Sequence, residues 1–177
     1  MDCNPELIAA AQNNTDKLGF SDRFALHTGE LADTRFLENL RMEASPVQLV
    51  MANPPWRLVG SGRLPATEAR RKALFGDKGT FPLFTSAASS LLEEDGRFAC
   101  IISPDRLQDM LAALNGAGLT PYLLQYIHKQ KTSPATFVLI EARKGAHAKP
   151  SVAEPIALYG PERFFTLESL AFCPFLR

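Results

Sequence analysis

The apolar run Val47–Ala52, VQLVMA, stops abruptly at Asn53-Pro54-Pro55-Trp56, and this junction constrains the fold more than any other stretch. Neither proline has an N–H to donate to a ladder, so a strand built from the run must end there. Pro55 also restricts Pro54 to an extended backbone. The result is a rigid, donor-free corner between an amide side chain and the chain's only tryptophan.

On either side, helical and extended segments alternate. The segment Asn4–Gly19 predicts a helix with an Asn cap, Pro5 in its first turn and a closing glycine. Arg23–Thr28 reads as a short strand, and DTRFLENLRM as an amphipathic helix capped by Asp33. VQLVMA reads as a buried strand. Residues 57–79 hold four glycines and a proline without a clean period, which predicts a long surface loop with a helical turn around ATEARRKAL. TFPLFTSAASSLLEEDG predicts a helix closed by Gly96, RFACIIS a core strand, and PDRLQDMLAALNGAG a helix started by Pro104. LTPYLLQYIHKQ and ATFVLIEARKG, separated by KTSP, predict an antiparallel hairpin. AHAKPSVAEP reads as a linker, followed by an apolar tail that docks on the domain. The expected fold class is α/β, a mostly parallel sheet with a terminal antiparallel hairpin. The domain reading is a catalytic core over residues 1–145 and a linker with C-terminal extension over 146–177. Such sheets bind ligands beyond the carboxyl ends of their strands, where the corner lies.

With 46% hydrophobic and 21% charged residues, the 177-residue chain can bury a real core. No apolar run is long enough to cross a membrane as a helix, and Met1–Gln12 lacks the basic segment of a signal peptide. Cys3, Cys100 and Cys173 are odd in number and widely spaced, which points to reduced thiols and a cytoplasmic protein. Cys100 falls in a core strand and is expected to be inert. His27, His128 and His147 are scattered, so no metal site is expected. Net charge is zero, but residues 57–79 carry six bases (Arg57, Arg63, Arg70, Arg71, Lys72, Lys78) against two acids. A basic segment directly after the corner suits a polyanionic partner, although a solvated charged loop would look the same.

The corner itself suits a particular chemistry. The Asn53 side-chain oxygen and the Pro54 carbonyl are two acceptors held close together. An NH2 group conjugated to a ring or carbonyl is a poor nucleophile because its lone pair is delocalised. Accepting both its hydrogens favours a pyramidal nitrogen with an available lone pair, which stabilises the transition state selectively. Trp56 supplies a face on which a base can stack. The alternative is a strand end followed by a polyproline turn and a core tryptophan.

NPPW after VQLVMA resembles the catalytic motif of S-adenosylmethionine-dependent methyltransferases that act on exocyclic adenine nitrogens or glutamine amides. GSGRLPATEARRKAL, LLEEDGRFACIISPDRL and SPATFVLIEARKG together are most similar to the valine-tRNA adenine-N6 methyltransferases, which modify the adenine 3′ of the anticodon. The resemblance covers residues 1 to about 145 and implies a Rossmann-like fold. It implies that Asn53, Pro54, Pro55 and Trp56 form the catalytic corner. It also implies that Asp2, Glu30, Leu31 and Asn53 contact S-adenosylmethionine, with Asp2 on the ribose hydroxyls and Glu30 near the adenine. Arg57, Arg63, Arg70, Arg71 and Lys72 are then expected to meet RNA phosphate, tRNA being the expected substrate.

The family's first strand, Gly-rich cofactor loop and following helix have no counterpart in these residues, which open at the end of the family's second strand. On that reading the 177-residue chain is expected to bind the cofactor poorly or not at all and to be inactive on its own. Relatives also tend to carry His-Glu where this sequence has ALFGDKG. Two other readings stay open. One is a protein glutamine-amide methyltransferase, with less need of a basic loop. The other is a non-catalytic domain that has lost cofactor binding.

Overall fold

The computed structural model describes residues 1–44, 47–58, 65–145 and 149–173. They fall into two compact units, Met1–Ser45 and Pro46–Arg177.

The first unit is built from two helices joined by an irregular segment. Helix α1 (Pro5–Leu18) starts where the Asn4 side chain accepts from the Glu6 amide at 2.9 Å, and ends at Gly19 in the left-handed conformation (φ 71°). Helix α2 (Thr34–Glu43) is capped by Asp33, whose carboxylate accepts from the Arg35 and Phe36 amides. Both helices match the sequence reading. The strand expected over Arg23–Thr28 does not form: Ser21–Arg23 is a 3₁₀ turn, and the rest contributes a single parallel bridge, Asp2 to Thr28. A ladder needs consecutive partners, and the neighbouring extended stretch ends at Asp2 because α1 is already capped at Asn4.

The second unit carries the sheet. Strand β1 (Val47–Ala52) leads into the corner, and β2 (Arg57–Leu58) leaves it. Helix α3 (Glu68–Leu74) and strand β3 (Phe75–Gly76) follow, then α4 (Thr80–Leu91), β4 (Leu92–Ile102), a 3₁₀ turn (Pro104–Arg106) and α5 (Leu107–Gly116). The hairpin β5 (Leu119–Gln130) and β6 (Ala135–Lys144) has the expected boundaries, and β7 (Ser151–Val152), β8 (Ile156–Tyr159) and α6 (Leu167–Phe172) complete the unit. The strand order is β1-β4-β6-β5-β7, with β8 also pairing with β5. Only β6 runs against the others, so the sheet is mostly parallel with one antiparallel hairpin, as the sequence implied.

Four expectations change. AHAKPSVAEP, expected as a linker, contains β7, whose Ser151 and Val152 pair in parallel with Leu123 and Leu124 of β5. VQLVMA is a strand but not a buried one: β1 ends the sheet order, and Leu49 and Met51 are 41% and 76% exposed. The helix expected to run to Gly96 stops at Leu91, because Lys144 Nζ reaches in from β6 and donates to the Ser89 and Leu92 carbonyls at 2.8 and 2.7 Å. A cation on the last carbonyls of a helix satisfies acceptors that no helical N–H reaches. Glu93–Gly96 instead forms a bulge in β4, with Asp95 at φ 62°. Finally, the segment expected as a loop after Trp56 contains the short parallel pair β2·β3 as well as the anticipated helical turn.

The core lies under β4, β5 and β6. Phe98, Cys100 and Ile102 alternate inward along β4 and meet Val138, Ile140 and Ala142 of β6, with Phe81 of α4 and Met110 and Leu114 of α5 closing over them. Each fully buried large side chain of this set contributes about 1.5–3 kcal/mol over exposure. Thr85, fully buried on α4, donates its hydroxyl to backbone carbonyls including Ala113 of α5 at 3.1 Å, joining the two helices where no water reaches. Among the described residues no helix is long and apolar enough to cross a membrane.

Candidate functional site

The corner sits at the carboxyl end of β1, whose register against β4 (Ala52 opposite Cys100) brings the end of β4 alongside it. Asn53 is exposed, whereas Pro54 is almost wholly buried, so the backbone is anchored while the amide faces solvent. The Trp56 ring packs partly on the core, meets the edge of Phe137 at 6.1 Å between centroids and 73° between planes, and lies under the Arg57 guanidinium at 5.3 Å.

Two residues outside the NPPW motif hold this corner. Gly76 of β3 packs against it so closely that a Cβ there would stand 2.5 Å from the Pro55 carbonyl oxygen. Arg106, only 3% exposed, donates from Nη1 to the Trp56 carbonyl at 2.8 Å. Its Nε donates to Asp109 at 2.8 Å, and its guanidinium lies 4.5 Å above the Phe81 ring. Sequence reasoning missed Gly76, Arg106 and Phe137. Phe137 alone carried a signal, as an aromatic near the start of the hairpin's second strand.

Among the basic residues expected to meet phosphate, Arg57 covers Trp56, and Arg70 and Lys72 stand exposed on α3. Arg71 is paired with Glu68 one turn earlier on the same helix. Arg63 lies outside the described residues, as does His147. The β2·β3 pair sets Arg57 opposite Phe75 and Leu58 opposite Gly76, so the basic helix is tied at its carboxyl end to the chain leaving the corner. The turn Lys131–Pro134 of the hairpin lies at the same end of the sheet as the corner, since β5 runs parallel to β1.

In the first unit, Asp2 and Glu30 are brought close in the chain path. The Asp2 amide donates to His27 at 3.2 Å, and the Asp2 carbonyl accepts from Gly29 at 3.1 Å. Glu30 follows directly and is exposed, with Leu31 half-buried beside it. Gly29 lets the chain pass close to α2: a Cβ there would fall 2.4 Å from the Phe36 ring, which would have to shift. One Asp2 carboxylate oxygen accepts from the Asn4 amide at 2.8 Å, which orients the group at the mouth of α1.

Cys100 lies in the core, and burial pushes its thiol up to about 12. Cys3 and Cys173 are also unbridged. Among the described residues no three potential metal ligands come together.

No family model matches the sequence, and no curated protein matches it either. Solved structures do resemble it. A predicted O-methyltransferase, protein Atu636 from Agrobacterium tumefaciens, superposes with a TM-score of 0.69 at 20% identity, over 98% of this chain and 73% of that one. The M protein of the type I restriction enzyme EcoKI gives a TM-score of 0.56 at 16% identity, over 98% of this chain and 38% of that one. A candidate rRNA methylase from Clostridium thermocellum gives 0.50 at 20% identity, over 80% and 72%. The fold is the Rossmann-like class I methyltransferase fold. The chain thus spans about three quarters of the first of these structures and well under half of the second.

Proposed function

We propose that this chain carries the catalytic part of an S-adenosylmethionine-dependent N-methyltransferase that methylates the exocyclic N6 amine of adenine in RNA, with tRNA as the substrate. The observation that carries the reading is the corner: an exposed amide and a proline-fixed carbonyl at the carboxyl end of a sheet strand in a methyltransferase fold. Asn53 Oδ1 and the Pro54 carbonyl accept the two hydrogens of the amine and draw its lone pair out of conjugation. Trp56 orients the base, with Arg57 leaving one ring face or sharing it with the base. Pro55 keeps the two acceptors convergent.

The cofactor would supply an electrophilic methyl group on a sulfonium. The residues in hand fit its nucleoside end. Asp2 has one carboxylate oxygen engaged by the Asn4 amide, which leaves the other to accept from a ribose diol. Glu30, two residues past the Asp2–Thr28 bridge, would accept from the adenine, with Leu31 against it. Arg57, Arg63, Arg70, Arg71 and Lys72 would contact phosphate, with α3 held at a set distance from the corner by β2·β3. Residues 1–145 form the catalytic core on this reading, residues 146–177 its extension, and the enzyme works in the cytoplasm with its thiols reduced.

The test is product analysis. A form of the protein that also carries the family's first strand and Gly-rich loop is incubated with S-adenosylmethionine and unmodified tRNA, and nucleosides are separated by mass after digestion. N6-methyladenosine that depends on Asn53 is the expected result. Methylation of a glutamine-bearing protein loop with none on RNA would replace adenine with the amide as the target. No methyl transfer to either would leave a non-catalytic domain.

A further inference from the structure

Arg106 lies 50 residues beyond Trp56 in sequence, is 3% exposed, and belongs to no motif of the corner. A buried guanidinium loses strong hydration, and it is tolerated only where its donors are matched. Here the matching is specific. Nη1 serves the Trp56 carbonyl, Nε serves Asp109 and the flat face rests on Phe81. Asp109 lies three residues on, in the first turn of α5, so it fixes the head group locally, while the Trp56 bond reaches across to the corner after β1. The carbonyl it binds follows two peptide units after the Pro54 carbonyl, with only Pro55 and Trp56 between. Gly76 abuts the intervening Pro55 carbonyl from β3. Of three successive carbonyls, that of Trp56 is therefore held by a donor outside the motif, that of Pro55 is closely packed by Gly76, and that of Pro54 is the acceptor assigned to the amine.

We infer that Arg106 is a positioning residue for methyl transfer: it clamps the Trp56 carbonyl so that the Asn53 and Pro54 acceptors keep their aim. The inference rests on the corner being catalytic. Its chemical role is indirect, since Arg106 is buried and its guanidinium is engaged by the Trp56 carbonyl and Asp109. A misplacement of about 1 Å of positioned groups is enough to cost about 10²-fold in rate, and the proline pair transmits a shift of the Trp56 peptide because it has little freedom to absorb one.

The test uses Arg106→Lys and Asp109→Ala, read by steady-state kinetics in a form of the protein that also carries the family's Gly-rich cofactor loop, and by time-resolved anisotropy of Trp56, the only tryptophan of the 177-residue chain, in that chain itself. Lys keeps the charge but not the fork that serves two partners at once. Arg106→Lys is expected to lower kcat per folded molecule by about tenfold or more, with KM for cofactor and RNA changed by less than about twofold. The fast local component of the Trp56 anisotropy rises in parallel. Asp109→Ala removes a largely exposed carboxylate, keeps the Trp56 bond, and is expected to give the same two changes at about two- to fivefold in kcat. Unchanged kcat per folded molecule, or unchanged Trp56 anisotropy, in Arg106→Lys overturns the inference. If that variant does not fold, the same two results in Asp109→Ala overturn it. A parent protein that methylates no substrate overturns the proposed function, and the anisotropy then decides whether Arg106 holds the corner.

Discussion

Asn53 and Cys100 are opposite kinds of residue. Asn53 stands in solvent, and on the proposed function its worth is in the transition state. In a complete form of the enzyme, Asn53→Ala is expected to lower kcat by about 10²–10³-fold, the usual cost of one preorganised hydrogen-bond partner, while cofactor affinity measured by calorimetry stays nearly unchanged. Cys100 is buried, and its thiol is pushed up to about 12 from 9.0 by loss of hydration. Between these values the unfolded chain releases the proton and the folded chain keeps it, so the unfolded state binds fewer protons and stability falls as pH rises. Below about pH 9 the term is constant. Urea denaturation between pH 8 and pH 11 should therefore show a steeper loss for the parent than for Cys100→Ala; equal slopes would remove the term. Asn53 was legible in the sequence because two prolines and a tryptophan announced it. Arg106 was not, because an arginine at a helix start reads as solvated, and only the register of β1 against β4 brings Trp56 to it.

At the scale of elements, the basic helix α3 is the piece whose placement matters most. The β2·β3 pair fastens its far end, so its cations sit at a fixed reach from the corner. Replacing Arg70, Arg71 and Lys72 by Ala is expected to weaken tRNA binding and to flatten its salt dependence by about 0.7–0.9 for each phosphate no longer neutralised. Arg71 should contribute least, since it already pairs with Glu68. Binding isotherms at several salt concentrations check this, and an unchanged slope would detach α3 from the RNA. The helices α1 and α2 and the hairpin were legible because their caps, their period and the KTSP turn are local signals. The early stop of α4 was not, because the group that caps it is Lys144, more than fifty residues away.

For the whole molecule, the alternation of helical and apolar segments was enough to announce an α/β sheet, and the second unit bears it out. The strand expected before α2 failed because sequence reads extended propensity and not the partner a strand needs. The sheet also divides its strands by the length of chain that must be closed to pair them. β5 and β6 are joined by the four residues Lys131–Pro134, whereas β1 meets β4 only after residues 53–91 have been looped back. Loop closure costs more the longer the loop, and distant pairings form late. The hairpin is thus the natural nucleus, and the edge strand that ends in the corner is the last to join. In refolding from urea, far-UV ellipticity should recover before Trp56 fluorescence, and simultaneous recovery would contradict this order. A chain interrupted late in folding would then be compact and rich in sheet and, on the proposed function, inactive, because the strand that carries the corner is anchored only by this long closure.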